Sequence, residues 1–343
     1  MSQPNNSYYK EILIPFEEMR SEFYRVLIKN GFSKDKAKTL AEVFVGNSLD
    51  GIYTHGVNRF ARFIKYVQEK IIDKKAAPEL IHRAGSIEQW NGNFAAGPLN
   101  ALFCTDRAIE IAKQNGIGCV ALSNTNHWMR PGYYGWQAAR SGFCFIAWTN
   151  TIPIMPAWGS TESRIGNNPF VFAVPYGANA IVLDSAVSQF SYGIMESYKM
   201  RNEKLPFNGG FDKGGKLTND PSEILESMRP LPIGYWKGAG MALLFDILAA
   251  ILSGGLSTHE IGKQGVETGI SQVYIAFDIS KLKNFPSIHQ SISNIVDDYL
   301  SSSRVDDKTK LYYPGQRVLE RRAINSENGI PVSISIWDEI KKL

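Results

Sequence analysis

The chain is poor in the residues that announce the commonest small-protein chemistries. Its three cysteines, Cys104, Cys119 and Cys144, are scattered through 343 residues and form no C-x-x-C pair. A disulfide scaffold or a cysteine-rich zinc site therefore lacks its residues, and the thiols read as packed side chains of a reducing, cytoplasmic compartment. An excess of one charge is missing too: 37 Lys and Arg face 33 Asp and Glu, for a net charge of +4. The cations are dispersed, whereas a nucleic-acid binder gathers them into a stripe. Residues 1–10 are polar with no apolar core, so no secretory signal is expected. The most apolar run, residues 241–252, contains Asp246 and falls short of the ~20 residues that cross a bilayer. No P-loop, H-E-x-x-H or G-x-S-x-G motif occurs.

What is present is enough apolar material, 44% of residues, to build a sizeable core. At ~150 residues per domain the length suggests about two domains. Phe16, Met19, Phe23, Val26 and Leu27 recur at helical spacing, with Gly31 placed to end the helix. Ser33 can cap a second helix with Ala37, Leu40, Ala41, Phe44 and Val45 on its apolar face, and a third helix starts near His55. Residues 99–115 predict a helix, 116–118 a turn and 119–123 a short buried strand. Further short apolar runs at 143–149, 169–175, 181–184 and 272–278 predict strands. Residues 241–252, apolar nearly all round, predict a central buried helix. A late helix is expected at 288–300, and long surface loops at 202–219 and 301–310. Strands mixed with helices predict a layered α/β fold.

Gly116, Gly118 and Ala121 formally match the dinucleotide pattern G-x-G-x-x-A. That pattern needs a strand before it and a helix after it, so that phosphate meets a helix start. Here the order is reversed, and the segment reads as a helix-to-strand turn. Among five histidines, His55 stands four residues before Arg59. On one helix face, the imidazole could pass a proton and the guanidinium could hold a carboxylate with two parallel bonds. Together they suit reduction of a 2-oxo acid, although an ordinary helix start gives the same spacing. His127, within Asn126–His127–Trp128–Met129–Arg130, follows a strand end, where ligand crevices of α/β sheets are found. The glycines and lysine of Gly234–Tyr235–Trp236–Lys237–Gly238 suit either an anion at a helix start or close helix packing.

Several segments line up together: Tyr53–Thr54–His55–Gly56–Val57–Asn58–Arg59–Phe60, Asn126–His127–Trp128–Met129–Arg130, Pro156–Ala157–Trp158–Gly159, Arg164–Ile165–Gly166–Asn167–Asn168–Pro169 and Gly234–Tyr235–Trp236–Lys237–Gly238. In order and spacing the chain resembles the LDH2/MDH2-type malate/L-lactate dehydrogenase family, nicotinamide-dependent reductases of 2-oxo acids. Ile87–Glu88–Gln89–Trp90 and Gln189–Phe190–Ser191–Tyr192–Gly193 point within it to a reductase of a sugar acid. The resemblance implies a non-Rossmann α/β fold, a central mixed sheet with flanking helices plus a helical N-terminal module. It implies that residues 11–84, rejoined by 318–343, form that module and that residues 85–317 form the cofactor-binding α/β domain. Residues 1–10 precede the resemblance and read as a tail.

By the same resemblance His55 matches the proton donor and Arg59 the carboxylate-binding position. Asn126, His127 and Trp128 would shape the sugar-acid end of the substrate site. Ala180, Ile181, Val182, Leu183, Asp184, Ser185 and Ala186 match one cofactor segment, Trp236 and Lys237 a second, and Gly315, Gln316 and Arg317 a third. The implied cofactor is NAD(H). NADP(H) stays open because Arg317 stands where relatives place a ribose-binding Glu, and would attract a 2′-phosphate. The implied partners are a small 2-oxo acid and a second copy of the chain, with no metal, nucleic acid or membrane. The competing expectations are a reductase of another 2-oxo acid and a cofactor-binding regulatory protein without catalysis.

Overall fold

Residues 11–343, described by a computed structural model, divide into two units: residues 11–75 with 315–343, and residues 76–314. The polar start at residues 1–10 lies outside the described residues. The chain opens in the first unit with β1 (Glu11–Ile14), α1 (Phe16–Lys29), α2 (Lys34–Leu49) and α3 (Val57–Gln68). The second unit runs β2 (Glu79–Ala84), β3 (Ile87–Asn91), α4 (Gly97–Asn115), β4 (Ile117–Thr125), α5 (Pro131–Arg140), β5 (Cys144–Thr149), β6 (Met155–Pro156), β7 (Ser163–Ile165), β8 (Phe170–Tyr176) and β9 (Asn179–Ser185). It continues through α6 (Tyr192–Met200), β10 (Gly210–Phe211), β11 (Leu217–Thr218), α7 (Pro221–Ser227), α8 (Trp236–Ser253), α9 (Thr258–Lys263), β12 (Ile270–Phe277) and α10 (Phe285–Leu300). The chain then returns to the first unit with α11 (Gln316–Asn328), β13 (Ile330–Ser333) and α12 (Ile334–Lys342).

The first unit is built on the expected amphipathic helices. Ser33 caps α2 by accepting from the Lys36 amide, and Gly31, at φ 86°, ends α1. Their apolar faces supply an aromatic core, in which Phe23 and Phe60 stack at 4.2 Å and Phe44 meets Phe60 and Phe63 edge-on at 5.1 Å each. Such pairs contribute ~1 kcal/mol each beyond the area they bury. The C-terminal segment completes this unit: β13 pairs antiparallel with β1, Arg322 binds Asp50 at 2.6 Å, and the Asn325 amide donates to the Leu49 carbonyl at 2.9 Å.

The second unit holds a seven-stranded mixed sheet in the order β2-β3-β4-β12-β5-β8-β9, in which only the β3–β4 pair is parallel. Alternate residues of β4 face opposite layers. Cys119 and Ala121 pack with Ala239, Ala242 and Ala249 of α8, whereas Gly118 lies against Ala108 and Ile111 of α4. Helices α4 and α5 thus cover one face and α8 the other. Central β4 and β12 are buried on both faces, which explains their nearly continuous apolar sequences.

Four expectations change. The strand at 79–84 pairs with β3, so the division after 84 moves to 75; Gly315–Gln316–Arg317 opens a helix of the first unit, so the division at 317 moves to 314. The loop at 202–219 contains the small β10–β11 hairpin. The third helix does not include His55, which lies in a separate 3-10 turn, Tyr53–His55. The fourth change concerns α8. Its small residues are buried, but Leu243, Leu244, Ile247, Leu248 and Ile251 are 39–63% exposed. An all-apolar helix need not be buried all round: here the alanines, with Met241, Phe245 and Leu252, pack against the sheet, and Phe245 stacks on Trp148 at 5.8 Å. At 18 residues α8 is apolar enough to span a membrane by composition. Asp246, however, accepts from Asn150 at 2.9 Å and from the Thr258 amide at 2.7 Å, bonds that tie the helix into the unit's polar loops.

Candidate active site

In the helical unit, Gly56 separates His55 from Arg59. His55 ends the 3-10 turn and Arg59 sits in the first turn of α3, its amide donating to the Gly56 carbonyl at 3.0 Å. The expected shared helix face is therefore replaced by a hinge of fixed shape. A Cβ on Gly56 would lie 2.3 Å from Ser48 Oγ, so no larger residue fits without moving α2. Ser48 Oγ accepts from the Val57 amide at 2.9 Å, and the buried Asn47 amide donates to the His55 carbonyl at 3.0 Å. Both anchors hold the backbone and leave the imidazole half-exposed, with Nδ1 3.2 Å from Thr54 Oγ1. Arg59 is likewise half-exposed.

In the α/β unit, residues 126–130 leave the C-terminal end of β4 and lead into α5. Asn126 is 2% exposed: its amide donates to the Phe94 and Ala95 carbonyls at 2.8 and 3.1 Å, and its oxygen accepts from Thr268 at 2.9 Å. Trp128 is fully buried, within 5.9 Å of the Tyr134 ring and 5.8 Å of the Tyr274 ring. These two residues brace the segment. His127, 18% exposed at its side chain, accepts the Met129 amide on Nδ1 at 2.9 Å, and its Nε2 lies 4.0 Å from Glu267 Oε1. Gly97 is required beneath this turn, because a Cβ there would meet the Asn126 and His127 carbonyl oxygens at 2.2 and 2.3 Å.

The three cofactor segments fall on β9 and on two helix starts. Ala180 and Val182 are buried in β9 while Leu183 is exposed, and Ile181, Ser185 and Ala186 are intermediate. The Val182 amide donates to the Pro314 carbonyl at 3.0 Å, so the edge of β9 runs beside the residue that immediately precedes Gly315. Asp184 Oδ2 accepts from the Gly132 amide at 2.9 Å and from Arg130 Nε at 3.3 Å. Part of that carboxylate is thereby committed to holding the start of α5. Trp236 is 64% exposed at the first position of α8, with Lys237 Nζ 5.9 Å from its ring centre. The preceding Tyr235 adopts φ 61°, ψ −116°, a conformation costly for a residue with a side chain and found where function demands it. Gly315, at φ 93°, introduces Gln316 and Arg317 as the first turn of α11. Neither helix start has a side-chain cap, so both present amide donors and the positive end of the helix dipole. Each helix start by itself therefore suits an anionic group.

Three residues beside these segments escaped the sequence reading. Glu267 and Thr268 belong to a loop that only the sheet register brings beside His127; their flanking glycines, Gly265 and Gly269, were the available sign of a shaped turn. Arg130 is 2% exposed and paired with Asp184, a partner 54 positions away that no local pattern reveals.

Comparison with known proteins extends the argument to the whole chain. Residues 14–341 match the family model described as malate/L-lactate dehydrogenase. A 2,3-diketo-L-gulonate reductase from Escherichia coli O6:K15:H31 (strain 536 / UPEC) is 43% identical over 331 residues, covering 96% of this chain and 99% of that protein. Among solved structures, malate dehydrogenase from Entamoeba histolytica shares the fold with a TM-score of 0.91 at 24% identity, covering 97% of each chain. Sulfolactate dehydrogenase from Methanocaldococcus jannaschii superimposes with a TM-score of 0.87 at 25% identity over 96% of each chain. These likenesses make the protein an oxidoreductase acting on a 2-oxo acid. With its mixed seven-stranded sheet and near-complete match, the chain belongs to the malate/L-lactate dehydrogenase family.

Proposed function

We propose that the protein reduces 2,3-diketo-L-gulonate to 3-keto-L-gulonate with NADH, in the cytoplasm. The observation that carries this reading is the near-full-length identity of 43% to a reductase of that name, joined to a half-exposed His55 and Arg59 on a rigid turn. A nicotinamide held by the three cofactor segments would supply the hydride to the keto carbon. His55 donates the proton to the oxygen as negative charge develops there. Arg59 holds the carboxylate, His127 meets the hydroxylated end, and Asn126 and Trp128 keep His127 in place. The starts of α8 and α11, through Trp236, Lys237, Gly315, Gln316 and Arg317, together with β9, hold the dinucleotide.

The test is NADH oxidation, followed by absorbance, with a panel containing 2,3-diketo-L-gulonate, pyruvate and oxaloacetate, repeated with NADPH. The diketo acid should give the highest kcat/KM, and NADH should exceed NADPH. A higher value with NADPH would assign Arg317 to a 2′-phosphate, and preference for oxaloacetate would move the substrate to a malate-type acid. For the carboxylate, Arg59→Lys should raise KM about tenfold, since a point charge cannot reproduce the bidentate fork. An unchanged KM would remove Arg59 from that role.

The exposed face of α8 supports a homodimer. Trp236, Gly240, Leu243, Leu244, Ile247, Leu248 and Ile251 form one stripe at three- and four-residue spacing. A second copy of the same stripe, related by a two-fold axis, is the self-complementary occupant. Leu244 is 58% exposed in the single chain, so Leu244→Asp should leave the fold intact and yield a monomer by sedimentation. A persistent dimer would place the interface elsewhere.

A further inference from the structure

Strand β9 is an edge of the seven-stranded sheet, paired with β8 in a register that sets Asp184 opposite Val171. The Asp184 side chain leaves the strand and reaches the start of α5, where Oδ2 accepts from the Gly132 amide at 2.9 Å and from Arg130 Nε at 3.3 Å. That helix start has no local acceptor for its amide. Arg130, at the N-cap position, forms no side-chain cap, and Pro131, the first helical residue, carries no N–H. Gly132 therefore supplies the first N–H of the helix, and its acceptor comes from a strand 52 positions later in the chain.

The fit between α5 and the sheet is close. A Cβ on Gly132 would lie 2.5 Å from Asp184 Oδ2, and one on Gly135 would lie 2.6 Å from Val171 and 3.2 Å from Val182. Helix α5 thus rests directly on β8 and β9, with its first turn registered by the carboxylate. The turn that precedes it follows this placement. Tyr134, in α5, donates to the Trp128 carbonyl at 2.5 Å, and Met129 is held at φ 66°, a conformation that surrounding contacts must enforce.

We infer that Asp184 is a positioning residue for the substrate: from the strand assigned to the cofactor it caps α5 and thereby fixes residues 126–130, the segment assigned to the hydroxylated end of the 2-oxo acid. The inference rests on the reductase reading above for those two assignments. Without the carboxylate the Gly132 amide has lost its acceptor and the first turn of α5 loosens. The preceding turn shifts with it, and a displacement of about 1 Å is enough to weaken a productive substrate complex.

The experiment compares Asp184→Ala, Asp184→Asn and Gly132→Ala with the wild type. Asparagine keeps an oxygen for the Gly132 amide. The Cβ added in Gly132→Ala displaces the carboxylate from the opposite side and supplies the measurement if Asp184→Ala does not fold. In steady-state NADH oxidation, Asp184→Ala and Gly132→Ala should raise KM for the 2-oxo acid about tenfold while KM for NADH stays within about threefold of wild type. Asp184→Asn should recover most of that loss. A rise in KM for NADH alone, equal rises in both values, or lower stability with both values unchanged would overturn the inference. Hydrogen exchange of the unliganded protein needs no turnover. The amides of residues 126–133 should exchange roughly tenfold faster in Asp184→Ala than in the wild type, with those of α4 unchanged. Equal exchange in the two proteins also overturns it. Faster exchange there, in a protein inactive on every 2-oxo acid, would keep Asp184 as the anchor of the turn and reject the reductase reading.

Discussion

His55→Ala should lower kcat by ~10²-fold or more, the usual loss when a general acid is removed. The loss should be one of chemistry because the backbone of the turn is anchored by other groups. The turn is held by backbone contacts: Asn47 donates to the His55 carbonyl, and Ser48 Oγ takes the Val57 amide. Alanine keeps both, so the variant should fold, and it should still quench or shift NADH fluorescence on binding. What it lacks is a group able to protonate the forming alkoxide, leaving water to do so with poorer placement. Steady-state kinetics with saturating 2-oxo acid measures the loss. A kcat close to wild type would transfer the proton-donor role to another residue.

The second large effect concerns stability. Glu88, 1% exposed on β3, accepts four hydrogen bonds: two from Arg107 at 2.7 and 2.8 Å, one from Arg83 at 2.7 Å and one from the Trp90 indole at 2.9 Å. The Arg107 fork is the main cause that lowers its carboxyl from 4.5 to about 2, with Trp90 and Arg83 assisting against burial. Because the folded state binds the proton less readily than the unfolded chain, the stabilisation is complete above about pH 4.5 and is lost as pH falls through about 2. A difference of that size corresponds to roughly 3 kcal/mol. Glu88→Ala should therefore destabilise the protein by ~2–4 kcal/mol at pH 7, leaving Arg107 and Trp90 without their acceptor. Urea unfolding of both proteins at pH 7 and near pH 2.5 provides the check. The gap between them should narrow sharply at the lower pH, and a gap of equal size at both would show that Glu88 acts by packing alone.

Glu88 also shows where local sequence stops being informative. Ile87–Glu88–Gln89–Trp90 stood out as a marker of kinship, yet its physical role depends on Arg107, a helix away, and on Arg83 across a hairpin. Helices α1, α2 and α4 and strands β4, β5, β8, β9 and β12 were legible because period and end signals are local. The fate of α8 was not: apolar content says that a surface wants cover, not whether this chain or another supplies it. Likewise, the four-residue step from His55 to Arg59 suggested one helix face, and only the close approach of Gly56 to Ser48 shows why the helix must start later. His127 could be singled out from its place after a strand, but Glu267 opposite it depends on the β4–β12 register.

The interleaving of the two units has a consequence for how the protein is made. Residues 76–314 form one uninterrupted unit that can begin to fold as soon as it leaves the ribosome. The unit bearing His55 needs β13 against β1 and Asn325 against the end of α2, and these partners are synthesised last. Its longest-range contacts close loops of nearly the whole chain, an arrangement that slows folding and leaves the phenylalanine-rich helices waiting. The unit that carries the His55 turn thus cannot be complete until the C-terminal segment is made, and a chain shortened there should lose the partners of β1 and of the end of α2.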